Sequence, residues 1–124
     1  MDKLYYEGWN IKSYRSMREN KKYYESIFSQ GNGYMGIRGT LPEDRENSSY
    51  EKCTFIAGVF DYIKEAITDM VNIPDFMTNR IVIDGEEFNP LSNAVSEISQ
   101  SLCMKNGTLE RYFLWNTARG KQIS

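Results

Sequence analysis

The hydrophobic and polar positions alternate in short stretches, each closed by a turn signal. Trp9, Ile11 and Ser13 alternate with Asn10, Lys12 and Tyr14, the period of a β-strand. Residues 15 to 22 are charged, without periodic apolar positions, and predict a solvated connection; Arg18, Lys21 and Lys22 are its candidate basic patch. Apolar character returns at Tyr24 to Phe28. Residues 45 to 52 predict a polar loop. Cys53 to Ile63 is almost continuously apolar, rich in aromatic and β-branched side chains and interrupted by Gly58, which predicts one buried strand with a bulge or close approach. Lys64 to Asp69 reads as a helical turn or loop, and Ile73-Pro74-Asp75 breaks the pattern. Ile81-Val82-Ile83, Asp84-Gly85 and Glu86-Glu87-Phe88 form the clearest hairpin, with a type I′ turn. Ser96 to Met104 and Thr108 to Trp115 predict a second hairpin about Asn106-Gly107. In its second arm Leu109, Arg111, Phe113 and Trp115 alternate with Glu110, Tyr112, Leu114 and Asn116. A turn near Arg119-Gly120 leads into a last strand at Gln122-Ile123. Short strands at hairpin spacing predict an all-β, antiparallel sandwich with little helix.

The centre of this pattern is Glu25 to Arg45, which holds Gly31, Gly33, Gly36 and Gly39 and ends in Glu43-Asp44-Arg45 behind Pro42. Glycines at this density are expected where the backbone needs positive φ or must approach other backbone closely. Bulky Tyr34, Met35 and Ile37 between them exclude a flexible linker. Gly31 to Gly36 also matches G-x-G-x-x-G, with Glu51 where a dinucleotide fold places its ribose acid. That fingerprint requires a helix opening at its third glycine. Gly39 and Pro42 oppose one, so the stretch is expected to be a turn-strand-turn. Gly31, Gly33, Gly36, Arg38, Gly39, Glu43 and Asp44 are its structural residues. Arg38 is expected to pair with Glu43 or Asp44 and lock the turn.

Composition narrows the chemistry. One domain accommodates 124 residues, and such a chain buries roughly two-thirds of its unfolded surface. With 15 basic and 17 acidic residues well mixed, the net charge of −2 gives no footprint for nucleic acid or an anionic membrane. No apolar run approaches a membrane span, and no signal peptide opens the chain. A cytoplasmic protein with Cys53 and Cys103 as free thiols is therefore expected, and the two sequons at Asn47 and Asn106 are read as chance. The chain has no histidine, which removes the commonest general base and metal ligand and the Ser-His and Cys-His pairs. Two cysteines alone cannot build a structural zinc site.

Carboxylates remain. Glu86-Glu87 follow a hairpin turn and Glu43-Asp44 lie in the central turn; both pairs are expected to face water, untuned as acids. No residue is assigned a catalytic or metal-binding role, and no cofactor is expected. Aromatic rings can stack on sugars, and Trp9, Tyr34, Tyr62, Phe76 and Trp115 are available. Most aromatics of a sandwich belong to its core. Phe76, in an exposed-looking loop, and Tyr34 are the candidates for carbohydrate contact. Asn32 and Asp61 are expected to hold turns and strand ends.

Several ordered motifs carry a resemblance. ESIFSQGNGYMGIRG, then Phe55-Ile56-Ala57-Gly58-Val59-Phe60-Asp61 and Met70-Val71-Asn72-Ile73-Pro74, resemble the N-terminal domain of glycoside hydrolase family 65. Trp9-Asn10-Ile11 is similar to its opening strand. Leu102 to Trp115, with Lys105-Asn106-Gly107 and Arg111, resembles its L-D-M-x-x-G-x-x-x-R-x-x-x-W segment. Cys53 and Cys103 depart from the family's usual Gly and Asp. The family contains the maltose, trehalose and kojibiose phosphorylases. The resemblance implies that the parent phosphorolyses an α-glucoside with inversion, giving β-glucose 1-phosphate without metal or organic cofactor. It implies a β-sandwich packing on a catalytic (α/α)6 barrel that supplies the general acid and the phosphate loop. The family domain is longer, so residues 1–124 are expected to form one N-terminal sandwich domain, incomplete at its C-terminus, with the barrel absent. The expected partners are that barrel and further copies of the chain, joined through strand pairing at an open edge near Gln122-Ile123-Ser124 or through a shared apolar face. Neither nucleic acid nor membrane is expected. The competing readings are a freestanding carbohydrate-binding module, although the sequence identifies no exposed aromatic platform, and an interaction subunit.

Overall fold

The computed structural model describes residues 4–14, 20–44, 52–62 and 68–124. Its framework is a five-stranded antiparallel sheet in the order β1 (Tyr5–Glu7), β2 (Asn10–Ser13), β10 (Val95–Cys103), β11 (Thr108–Asn116) and β12 (Gln122–Ile123). Strand alternation sets its two faces. Ile11, Leu102, Leu109, Phe113 and Trp115 point inward, and Tyr5, Lys12, Ser99, Glu110 and Tyr112 point outward. The β10–β11 hairpin closes through Asn106-Gly107, with Gly107 at φ 72.

Among the described residues a single helix, α1 (Lys21–Ile27), lies on the inner face. Tyr24, Ile27 and the capping Phe28 recur at helical spacing and meet Leu41, Leu102, Ile11 and Leu109. Seven helical residues are too few to be stable alone, so this contact holds the helix in place. A second cluster gathers Phe88, Val95 and Trp115. It is fed by the hairpin of β8 (Val82–Ile83) and β9 (Glu86–Glu87), whose Phe88 ring stacks on Phe113 at 4.3 Å. Asp84 and Gly85 both have positive φ, as a type I′ turn requires.

The central stretch forms a three-stranded sheet, β3 (Gln30–Gly31), β4 (Met35–Ile37) and β5 (Thr54–Ile56). Beyond it β6 (Phe60–Tyr62) pairs with β7 (Thr68–Met70) in an exposed hairpin. The described residues are thus all-β and antiparallel with one short helix, in line with the all-β pattern of little helix.

Four local expectations are corrected. Lys21 and Lys22 open a helix instead of continuing a loop. The Cys53–Ile63 run is two strands, because Ala57 and Gly58 form a turn with Gly58 at φ 81, and its second half is exposed. Thr68 and Asp69 are strand, not helical turn or loop. Trp9 occupies the turn between β1 and β2 and is 63% exposed. Arg18, the loop expected from 45 to 51, Glu51 and Lys64 lie outside the described residues. The dinucleotide match has no support, since Gly36 sits inside a strand.

Candidate functional site

Helix α1, the central turn and β11 meet at a group of buried carboxylates. Glu25, Glu43 and Asp44 are all buried, each beside a different cation. Arg111 donates from both terminal nitrogens to Glu43, at 2.8 and 3.0 Å. This bidentate pair joins residues 68 positions apart. Glu25, on the inward side of α1, accepts from Arg38 Nε at 3.2 Å. Arg38 also donates to the Lys22 carbonyl at 3.3 Å, so its guanidinium straps the central strand to the helix. Lys21 reaches Asp44 at 2.5 Å.

This corrects two expectations. Glu43 and Asp44 do not face water, and Arg38 pairs with neither. Leu41 explains both: it is fully buried with Phe28 and Tyr24, and it draws the residues after it under the sheet. Buried charges require partners, and three cations converge from other elements. Each acid is paired with a cation from another element, so the three pairs fasten the helix, the turn and the sheet to one another. Glu86 and Glu87 also hold structure. Glu86 accepts the Ala118 N–H at 2.9 Å, and Glu87 pairs with Arg80 at 2.9 Å.

The glycines divide into two kinds. Gly39 is required by crowding: a Cβ there would lie 2.6 Å from the Phe28 carbonyl carbon and oxygen. Its N–H donates to the Glu25 carbonyl at 2.9 Å, tying the turn to the last turn of α1. Gly33 has φ 83 in the turn between β3 and β4, where Asn32 Oδ1 accepts from the Tyr34 and Met35 N–H groups. Gly31 and Gly36 face each other across β3 and β4 with negative φ and room for a methyl group. Neither reason given for dense glycines applies to that pair.

A second buried polar group lies beside the turn. Lys52 donates to Thr78 Oγ1 at 2.6 Å and to the Pro42 carbonyl at 3.5 Å, and stands 3.8 Å from Asp75. Burial pushes the Asp75 carboxyl up, but bonds from Thr78 and the Met77 N–H, with Lys52 nearby, outweigh it and hold the group below the ordinary carboxylate range. Among the described residues no cluster of three metal-ligating side chains occurs. No described helix is long and apolar enough to cross a membrane. Neither Cys53 nor Cys103 is in a disulfide.

The sugar-contact candidates fall in different settings. Trp115 is buried in the second core cluster. Tyr34 is 66% exposed and Phe76 56%. Tyr34 lines a hollow of about 380 Å³ with Met35, Phe55, Phe60 and Met70; Phe76 is not among its walls. Tyr62, in the β6–β7 hairpin, is 85% exposed, and the Asp61 carboxylate caps its N–H. Sequence reasoning missed the outward-facing tyrosines of the five-stranded sheet. Tyr5, Tyr14 and Tyr112 are all about half exposed or more, and the rings of Tyr5 and Tyr14 meet edge-to-face at 5.4 Å. The signal was available for Tyr112, which alternates with the inward-facing Arg111 and Phe113.

The central turn and the Leu102–Trp115 segment, the two stretches that carry the family resemblance, meet in this structure through Glu43 and Arg111. Residues 11–124 match the glycosyl hydrolase family 65, N-terminal domain. A kojibiose phosphorylase of Halothermothrix orenii is 34% identical over 93% of this chain. An alpha,alpha-trehalose phosphorylase of Thermoanaerobacter brockii is 30% identical over 94%, and a maltose phosphorylase of Bacillus subtilis 32% over 85%. The chain spans only 14%, 17% and 15% of those three proteins. A solved structure, a putative kojibiose phosphorylase from human microbiome, superposes with a TM-score of 0.81 over 95% of this chain and 17% of its own, at 22% identity, and so shares the fold. The chain belongs to the glycosyl hydrolase family 65 N-terminal domain family.

Proposed function

We propose that this chain is the structural and assembly domain of an inverting disaccharide phosphorylase acting on α-glucosides, and that it carries no catalytic residue itself. The observation that carries the reading is the fate of the acids. Glu25, Glu43 and Asp44, the fully enclosed carboxylates among the described residues, are each engaged by a cation from another element. A glycosidase-type reaction needs two carboxyl groups flanking the scissile bond, one of them able to give up a proton. In the parent, a phosphate oxygen would attack the anomeric carbon while a barrel glutamate protonates the departing sugar. This chain's part is to brace that barrel, in the cytoplasm.

The surface this reading gives to the barrel is the apolar hollow around Tyr34, Phe55, Phe60 and Met70. Its walls are almost wholly hydrocarbon and glycine backbone, suited to a protein face rather than to a hydroxyl-rich sugar. Contiguous exposed apolar surface marks interaction sites. The same surface gives the chain on its own a tendency to self-associate.

The test is glucose 1-phosphate release from maltose, trehalose and kojibiose with phosphate, using protein free of host phosphorylase. No release is expected from the chain alone, and release is expected when a separately produced family 65 barrel is supplied. Turnover that scales with this chain alone and is lost in Glu43→Gln, Asp44→Asn would overturn the reading.

A further inference from the structure

The outward face of the five-stranded sheet carries a cleft of about 510 Å³ that nothing above accounts for. Its walls include Tyr14, Tyr112 and Pro90, and its floor Ser96, Glu97 and Ser99. The placement follows from register. Ser99 stands directly opposite Tyr112, and Ser13 opposite Gln100, so Tyr14 reaches the next rung, beside Ser99. Tyr14 and Tyr112 therefore flank a serine from the two neighbouring strands. Strands lie about 4.8 Å apart, which separates the two tyrosine backbones by about 10 Å. A pyranose ring in van der Waals contact with an aromatic face on each side needs about 8 Å, two contacts of roughly 4 Å.

We propose that this cleft is a non-catalytic binding site for neutral oligosaccharides, with one pyranose ring held between Tyr14 and Tyr112. The C–H faces of a pyranose are apolar with a slight positive charge, and they match the negative face of an aromatic ring. The hydroxyls at the ring's edge need acceptors and donors, which Glu97 and the serines supply. Tyr5 packs edge-on against Tyr14 and fixes its wall before any ligand arrives. Among the described residues the lining has a carboxylate and no cation, so it selects a neutral sugar over a sugar phosphate. Tyr14 is 60% exposed and Tyr112 48%, and neither belongs to a core cluster. The hollow at Tyr34 lacks this combination, because hydrocarbon and glycine make up its walls. The inference does not depend on the scaffold role; that role only suggests α-glucosides among the probes.

The experiment is a ¹H–¹⁵N titration of the full chain with maltotriose, cellotriose and glucose 1-phosphate. Maltotriose or cellotriose should shift the amides of Ser96 to Ser99 with a dissociation constant on the order of 1 mM, weak binding of about −4 kcal/mol. Tyr14→Ala and Tyr112→Ala should each weaken that binding about tenfold, whereas Tyr112→Phe, which keeps the ring, should retain it. Absence of shifts with both trisaccharides would overturn the proposal. So would equal affinity in the alanine variants, tighter binding of glucose 1-phosphate, or loss of binding in Tyr34→Ala in place of the cleft variants. Because binding of the trisaccharides is read without any barrel, its failure would leave the scaffold reading intact.

Discussion

Two stretches with apolar side chains end in opposite surroundings. Tyr24 to Phe28 is short and preceded by lysines, yet Tyr24 and Phe28 are the most enclosed aromatics among the described residues. Thr54 to Tyr62 is longer and more apolar, yet after Thr54 it rises to the surface, and Val59, Phe60 and Tyr62 are exposed. The difference is what each stretch finds opposite it. The helix face meets Leu41, Leu102 and Leu109 and closes a core. Among the described residues the β6–β7 hairpin pairs only with itself, and a two-stranded ribbon by itself has no second layer to cover it. Apolar content therefore sets the capacity for burial, and topology decides whether it is used within this chain or against another.

The contrast can be broken first at Phe28. Truncation to alanine should lower unfolding stability by about 4 kcal/mol, from lost transfer energy and the cavity left behind, measured by urea denaturation. Gly39→Ala should follow at about 3 kcal/mol, because the new methyl group meets Phe28 backbone rather than a yielding side chain. Tyr62→Ser removes an aromatic ring of equal size from the hairpin and should change stability by less than about 0.5 kcal/mol. A loss at Tyr62 comparable to that at Phe28 would mean that the hairpin is covered within the chain, and the comparison would fail.

Local chemistry was readable and distant partnership was not. The turn at Asp84-Gly85 announces itself because positive φ at two successive residues restricts the sequence. The alternation of Leu109, Arg111, Phe113 and Trp115 with their neighbours matches a single face of β11, and in the structure all four lie on the inward one. Helix α1 was missed because seven residues are too few to display a period. The partners of Arg38 and Glu43 were misread because proximity along the chain favoured a pair within the turn. Their true partners, Glu25 and Arg111, come from other elements, and only the burial of Leu41 brings them near. Exposure of Tyr14 and Tyr112 is likewise a property of the assembled sheet, which hydropathy does not encode.

The central claim is that the acidic turn is a clasp between the central stretch and β11, and a double-mutant cycle on Glu43 and Arg111 tests it most directly. Either partner removed alone leaves the other desolvated, so Glu43→Gln and Arg111→Met should each destabilise by about 3 kcal/mol, the low end for a buried pair because Arg111 is one-quarter exposed. Together they should cost far less than the sum, with a coupling of about 2 kcal/mol in urea denaturation. Additive losses, with coupling near zero, would contradict the clasp and return Glu43 to the role of an independent acid.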